Sequence, residues 1–172
     1  MPVEIIVGTN SYLSMEEAVA YFNNRLYADA WNSSNSDDKA RSLITATASI
    51  DRMTYKGRKK DSSQTLQFPR AYRINPLYHP QVIGNLPDYE NAEGWYLEKE
   101  VSERVKASCC EEALAILERG NNQRRKLQAE GVMSYSIGKL SETFVAGAGK
   151  GLLSTESKDL LRPYLAGSVR VR

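Results

Sequence analysis

Apolar residues recur every three or four positions in three segments of the chain, the spacing that places side chains on one face of an α-helix. The first segment follows Ser14, which forms a capping-box pattern with Glu17. The second opens with Asp37 and Asp38, whose carboxylates suit a helix N-terminus. The third contains the most apolar face. We therefore predict helices over about residues 15–29, from about 37 to Tyr55, and from between Glu98 and Ser102 to Gly120.

The remaining segments do not show this spacing. Four prolines interrupt residues 58–98, which are predicted to be mostly loop packed on the helices. Between Val132 and Phe144 the pattern indicates two short strands around a turn, followed by a glycine-rich connector. Ser154 can cap a last short helix, which Pro163 ends.

These elements predict a mainly α fold. We expect a small helical bundle of three to four helices with a long central loop, a small β-hairpin and an extended C-terminal tail. We divide the chain into a helical domain over residues 1–130, a hairpin and flexible linker over 131–151, and a short helix with a C-terminal docking tail over 152–172.

The composition is that of an ordinary globular domain. The 172 residues include 23 Lys and Arg against 21 Asp and Glu, a net charge of +2. The longest clean apolar stretch, Ala113 to Leu117, is far shorter than the roughly 18 residues of a membrane span. Without a secretory leader at the start, the chain is expected to have no membrane partner and to stay in the cytoplasm where it is made.

The sequence offers little for catalysis or metal binding. Cys109 and Cys110 are adjacent, and His79 is the only histidine, so a four-ligand zinc site is not encoded. The Gly149-Lys150 pair lacks the preceding glycine and the following Ser or Thr of a phosphate-binding loop. We expect no catalytic residues, no metal and no cofactor, and we predict that the protein is not an enzyme.

Basic residues gather in three clusters. They are Arg52, Lys56 and Arg58 to Lys60; Arg119 and Arg124 to Lys126; and Arg162, Arg170 and Arg172. Tyr55, Phe68 and Tyr72 lie near the first cluster, and cations beside aromatic rings can bind single-stranded nucleic acid. Because nucleic-acid binders are usually more basic overall, we favour solvated helix ends as the explanation and leave weak contact with a DNA backbone open.

A series of short stretches, in order over most of the chain, carries a family resemblance. The stretches are Asn10 to Ala18, Trp31, Lys39 to Thr47, Ile50 to Arg52, Tyr55 to Arg58, Phe68 to Arg70, Val105 to Ala107, Glu111 to Leu114, Ser136 to Gly138 and Leu161 to Leu165. Together they resemble the head–tail connector proteins of tailed bacteriophages, also called adaptor or head-completion proteins. Some relatives of that family carry the label DnaT-like single-stranded-DNA-binding protein.

The resemblance implies a structural protein of the virion, located at the head–tail interface. Such a subunit forms an oligomeric ring, expected to have twelve copies, that binds the portal and a tail or stopper protein. Genomic double-stranded DNA would pass non-specifically through the ring. The alternative is a single-stranded-DNA-binding module.

Three groups of residues are candidates for these roles. Portal or subunit docking is assigned to Arg162, Pro163, Tyr164, Leu165, Val169, Arg170, Val171 and Arg172, because an alternating tail without its own core can add a strand to a partner. Contact of the hairpin with a subunit or tail protein is assigned to Ile137, Leu140 and Phe144. Lining of a DNA channel is assigned to Arg58, Lys59, Lys60, Arg124, Arg125 and Lys126.

Overall fold

The protein is described by a computed structural model that covers residues 3–73, 89–92, 95–119, 134–137, 140–143 and 151–167. The helices in these ranges are α1 (Met15–Asn23), α2 (Asp29–Ser33), α3 (Ser36–Asp51), α4 (Glu103–Arg119) and α5 (Thr155–Leu161). The strands are β1 (Arg58–Lys59), β2 (Arg70–Arg73), β3 (Tyr89–Ala92), β4 (Trp95–Glu98), β5 (Ser134–Ile137) and β6 (Leu140–Thr143). The fold is therefore mixed α and β, and the prediction of a mainly α fold is confirmed in part.

Local capping signals placed two helix starts correctly. Ser14 and Glu17 form the predicted capping box, each side chain bonding the backbone N–H of the other. The Ser154 hydroxyl accepts a hydrogen bond from the Ser157 backbone at 3.1 Å and starts α5. Both signals lie within four residues of sequence, so they need no knowledge of the tertiary structure.

The first predicted helix is too long, because the chain leaves the helical path after Asn23. Tyr27 has a φ of +57°, which no helical residue adopts. The Arg25 guanidinium is bound to Glu111 of α4, through Nε to Oε1 at 2.5 Å and Nη2 to Oε2 at 2.9 Å. Leu26, next to this anchor, is 77% exposed and does not continue the apolar face of α1.

The described part of residues 58–98 contains four short strands that the sequence-based prediction of a long central loop did not include. Within the described residues of this segment, β1, β2, β4 and β3 form an antiparallel sheet in that order. The strands contain only two to four residues, too few for an alternating pattern to stand out beside four prolines. The two strands predicted between residues 132 and 144 are present as the hairpin β5–β6.

The core lies between α3 and α4 and is closed by α5. Leu43, Ile50, Val105 and Leu161 are fully buried in it. Burial raises the pKa of the Cys109 thiol to about 12, so the thiol packs as a small apolar group. Within the described ranges, no helix is long and apolar enough to cross a membrane.

The segment after α5 packs on its own domain. The Tyr164 ring lies edge-on to the buried Phe68 ring with centroids 5.5 Å apart, and its hydroxyl is 2.7 Å from the Ser102 hydroxyl. The Ala166 N–H donates to the carbonyl of Thr54 at 3.0 Å. Tyr164 and the half-buried Leu165 are therefore engaged within the domain, whereas they had been assigned to docking on a partner.

Candidate nucleic-acid interface

The four-stranded sheet has one face turned to the core. Alternation along the strands places Arg70 and Tyr72 of β2 with Tyr96 and Glu98 of β4 on this inner face. Arg70 is only 4% exposed, and its guanidinium carbon lies 5.5 Å and 5.8 Å from the ring centroids of Tyr55 and Phe68. Arg70 therefore has a structural role and is not available to DNA.

Two buried side chains hold the inner face in place. The Arg70 guanidinium donates to the carbonyls of Lys56 at 2.8 Å, Gly57 at 3.0 Å and Gln67 at 3.1 Å. The Glu98 carboxylate accepts the Arg70 backbone N–H at 2.8 Å and the Tyr72 hydroxyl at 3.2 Å. Desolvation by burial raises the pKa of Glu98 despite these donors. These contacts fix the inner face of the sheet against the helical core.

The outer face of the sheet carries the accessible cations. By the same alternation, this side holds Arg58 of β1, Ala71 and Arg73 of β2, and Trp95 and Leu97 of β4, of which only Ala71 is fully buried. The Arg58 guanidinium carbon is 4.1 Å from the centroid of the Trp95 ring, a close cation–π contact. Arg58 and Arg73 are exposed, and Trp95 and Leu97 are half-buried. This arrangement combines positive charge with an accessible aromatic surface.

The three consecutive basic residues Arg58, Lys59 and Lys60 have different roles. The Lys59 ammonium donates to the carbonyls of Gln64 at 3.2 Å and Thr65 at 2.9 Å, so it holds the following turn. Lys60 makes a longer hydrogen bond, 3.4 Å, to the carbonyl of Lys99. An open depression of about 510 Å³ is lined by Arg58, Lys59, Lys60, Asp61 and Ser62. Of Arg58, Lys59 and Lys60, therefore, Arg58 and Lys60 are suited to bind a phosphate.

Two of the three aromatic residues chosen from sequence proximity are not available for stacking. Tyr55 and Phe68 are 7% and 2% exposed, so their rings belong to the core. Trp95 and Arg73 were missed, because β2 and β4 are separated by more than twenty residues in sequence. The β-favouring aromatic residues Tyr72 of β2 and Trp95-Tyr96 of β4 were the available signal.

Several other predicted site residues lie where the structure gives no description. These are Arg124, Arg125, Lys126, Phe144, Val169, Arg170, Val171 and Arg172, which fall outside the described residues. Ile137 and Leu140 are paired across the β5–β6 hairpin, and their side chains are also outside the description. Arg162 and Pro163 are exposed at the end of α5. In the part of the chain that is described, no group of His, Cys, Asp and Glu could hold a metal ion.

Residues 3–84 match the sequence model of a family described as "Putative DnaT-like ssDNA binding protein". The match covers just under half of the chain and includes α1 to α3, β1 and β2. Arg58, Lys60 and Arg73 are inside it, whereas Trp95 is outside. Neither a curated protein nor a solved structure matches the chain.

This match corrects the family assignment made from the sequence. The resemblance to phage head–tail connectors is not supported, because the matching family is the DnaT-like one. The structural role as an adaptor in the virion, the portal and tail partners and the twelve-membered ring lose their basis with it. The alternative interpretation, a single-stranded-DNA-binding module, agrees with the match.

Proposed function

We propose that the protein is a single-stranded-DNA-binding module and that its sheet supplies the DNA contact. The observation that carries the proposal is the family match over residues 3–84, which contains the exposed cations of β1 and β2. Among the described residues, neither Arg58 nor Arg73 takes part in an ion pair. Their charge is therefore available to phosphate oxygens.

The charge of the molecule sets the expected strength of binding. A net charge of +2 provides little general attraction for DNA, so affinity must come from a local cluster. Arg58 of β1, Lys60 directly after that strand and Arg73 of the neighbouring β2 offer three phosphate contacts. Three contacts on a single strand predict that log K falls with log salt with a slope of about −2. Binding is expected to be modest and independent of sequence.

Fluorescence anisotropy with a labelled oligodeoxythymidine of roughly 15 nucleotides tests the proposal, since binding sites of this class span about 4–16 nucleotides. We expect saturable binding, tighter than for a duplex of the same length, with the salt slope given above. The double variant Arg58→Ala/Arg73→Ala should weaken binding strongly. Arg41→Ala is the matched control, because Arg41 is an exposed arginine of α3 that already pairs with Asp37 and Asp38.

Two results would contradict the proposal. One is the absence of saturable binding to the oligonucleotide at any practical protein concentration. The other is equal or tighter binding to the duplex. The same mixtures, incubated with and without magnesium, test the narrower expectation that the protein is not a nuclease, because the oligonucleotide should then remain intact.

A further inference from the structure

We propose that the outer face of the sheet contains a stacking site for one unpaired base, with the Trp95 ring as its platform. The inference rests on the proposed function and assigns a residue that the family match does not reach, since the match ends at residue 84. Trp95 lies at the N-terminal end of β4, opposite Arg73 of β2. Trp95 is thus next to Arg58 and Arg73, the exposed cations of the outer face.

Partial exposure beside an exposed cation distinguishes Trp95 from the buried aromatic rings of the core. In the described part of the chain, Phe22, Trp31 and Phe68 are 4%, 2% and 2% exposed, and Phe22 stacks on Trp31 with centroids 4.3 Å apart. These rings have no face left for a ligand. Trp95 keeps partial exposure, and the group over its face is the guanidinium of an exposed arginine.

The contact between Arg58 and Trp95 shows that the ring face accepts a flat, delocalised group at 4.1 Å. A nucleobase is also flat, and its stacking on an aromatic side chain is stronger than a cation–π contact at an exposed site. A base can therefore replace the guanidinium over the ring. Arg58 then turns to the adjoining phosphate, so the exchange retains its charge at the site.

The register of the strands supplies a second phosphate contact. Arg73 is the cross-strand partner of Trp95, and paired residues of neighbouring strands lie about 5 Å apart. Arg73 therefore presents its positive charge beside a base stacked on Trp95. Bases in a duplex are already stacked on their neighbours, so this site selects single strands over duplexes.

The experiment compares two probes on the intact protein: an oligodeoxythymidine, and an oligonucleotide of the same length and charge in which the bases are replaced by abasic sites. Wild-type protein should bind the thymidine probe about 5- to 150-fold more tightly, the range expected for one base stacked on an aromatic ring. Trp95→Ala should remove this difference, and Trp95→Phe should retain much of it. Arg73→Ala should weaken both probes by a similar factor.

Tyr27→Ala is the matched aromatic control, because Tyr27 is 84% exposed in the loop between α1 and α2. It should bind both probes as the wild type does. The stacking site is refuted, while the proposed function stands, if wild type binds both probes equally or if Trp95→Ala keeps the full preference in a folded protein. If wild type binds neither probe, the proposed function fails and the stacking site fails with it.

Discussion

Glu112 offers a direct test of how the C-terminal segment is attached to the domain. This glutamate lies in α4 and is 1% exposed. Its Oε1 accepts the backbone N–H of Leu153 at 2.8 Å, and its Oε2 accepts that of Ser154 at 2.9 Å. Ser154 caps α5, so one carboxylate fixes the entry of the last helix. We predict that Glu112→Ala strongly destabilises the fold.

The magnitude follows from the two donors that lose their acceptor. A buried polar group without a partner costs about 1–3 kcal/mol. Ser154 is buried and takes the full penalty, whereas Leu153 is half-buried and is partly hydrated in the variant. We therefore expect a loss of about 2–4 kcal/mol, which lowers the melting temperature by roughly 4–16 °C for a domain of this size.

Urea unfolding followed by far-UV circular dichroism, together with thermal melts, measures this effect. Glu118→Ala is the control, because Glu118 is an exposed glutamate near the end of the same helix. Glu112→Gln retains one acceptor oxygen and should fall between the control and Glu112→Ala. If Glu112→Ala is within about 0.5 kcal/mol of Glu118→Ala, which is the scale of an ordinary surface substitution, the carboxylate does not anchor the segment.

Three further predictions concern stability. The Gly57→Ala variant should be less stable than the Gly8→Ala variant. Both glycines have a positive φ, but only at Gly57 would a Cβ lie 2.2 Å from a carbonyl oxygen of β2. Similar midpoints of urea unfolding for the two variants would contradict this. Burial raises the pKa of Glu98 above 4.5 in the folded state. Wild type should therefore lose stability relative to Glu98→Gln as the pH rises from about 4.5. A difference between their melting temperatures that does not depend on pH would refute the assignment. Arg25→Met removes the cation that pairs with the buried Glu111 carboxylate. The free energy of unfolding, measured by urea titration, should fall by about 2–4 kcal/mol. A loss below about 0.5 kcal/mol would mean that the pair is not a structural anchor.

Features governed by neighbouring residues could be predicted from the sequence. The capping pairs at Ser14 and Ser154 place the starts of α1 and α5. The apolar spacing identified the faces of α3 and α4 that form the core. Glu111 and Glu112 also behave as expected for adjacent helical residues, since one binds Arg25 and the other binds the 153–154 backbone.

Features that depend on distant contacts could not be predicted. The Arg58–Trp95 pair joins residues 37 positions apart, in strands too short to show alternation. The burial of Arg70 follows from the carbonyls of Lys56 and Gly57, which lie in another segment and converge on its guanidinium. The three-part division of the chain stays a prediction, although Leu161 of α5 is buried in the same core as Leu43 of α3.

The central claim is that single-stranded DNA binds on the outer face of the sheet. The most direct measurement is an NMR titration of isotope-labelled protein with unlabelled oligodeoxythymidine, observing backbone amides and indole N–H groups. The two tryptophans provide an internal comparison, since Trp31 is buried in the core and Trp95 lies on the proposed surface. We predict the largest shifts at the Trp95 indole and the amides of residues 58–60, 70–73 and 95–98, with the Trp31 indole unchanged. Shifts concentrated on α1 and α2 with an unchanged Trp95 indole, or no shifts at all, would contradict the account.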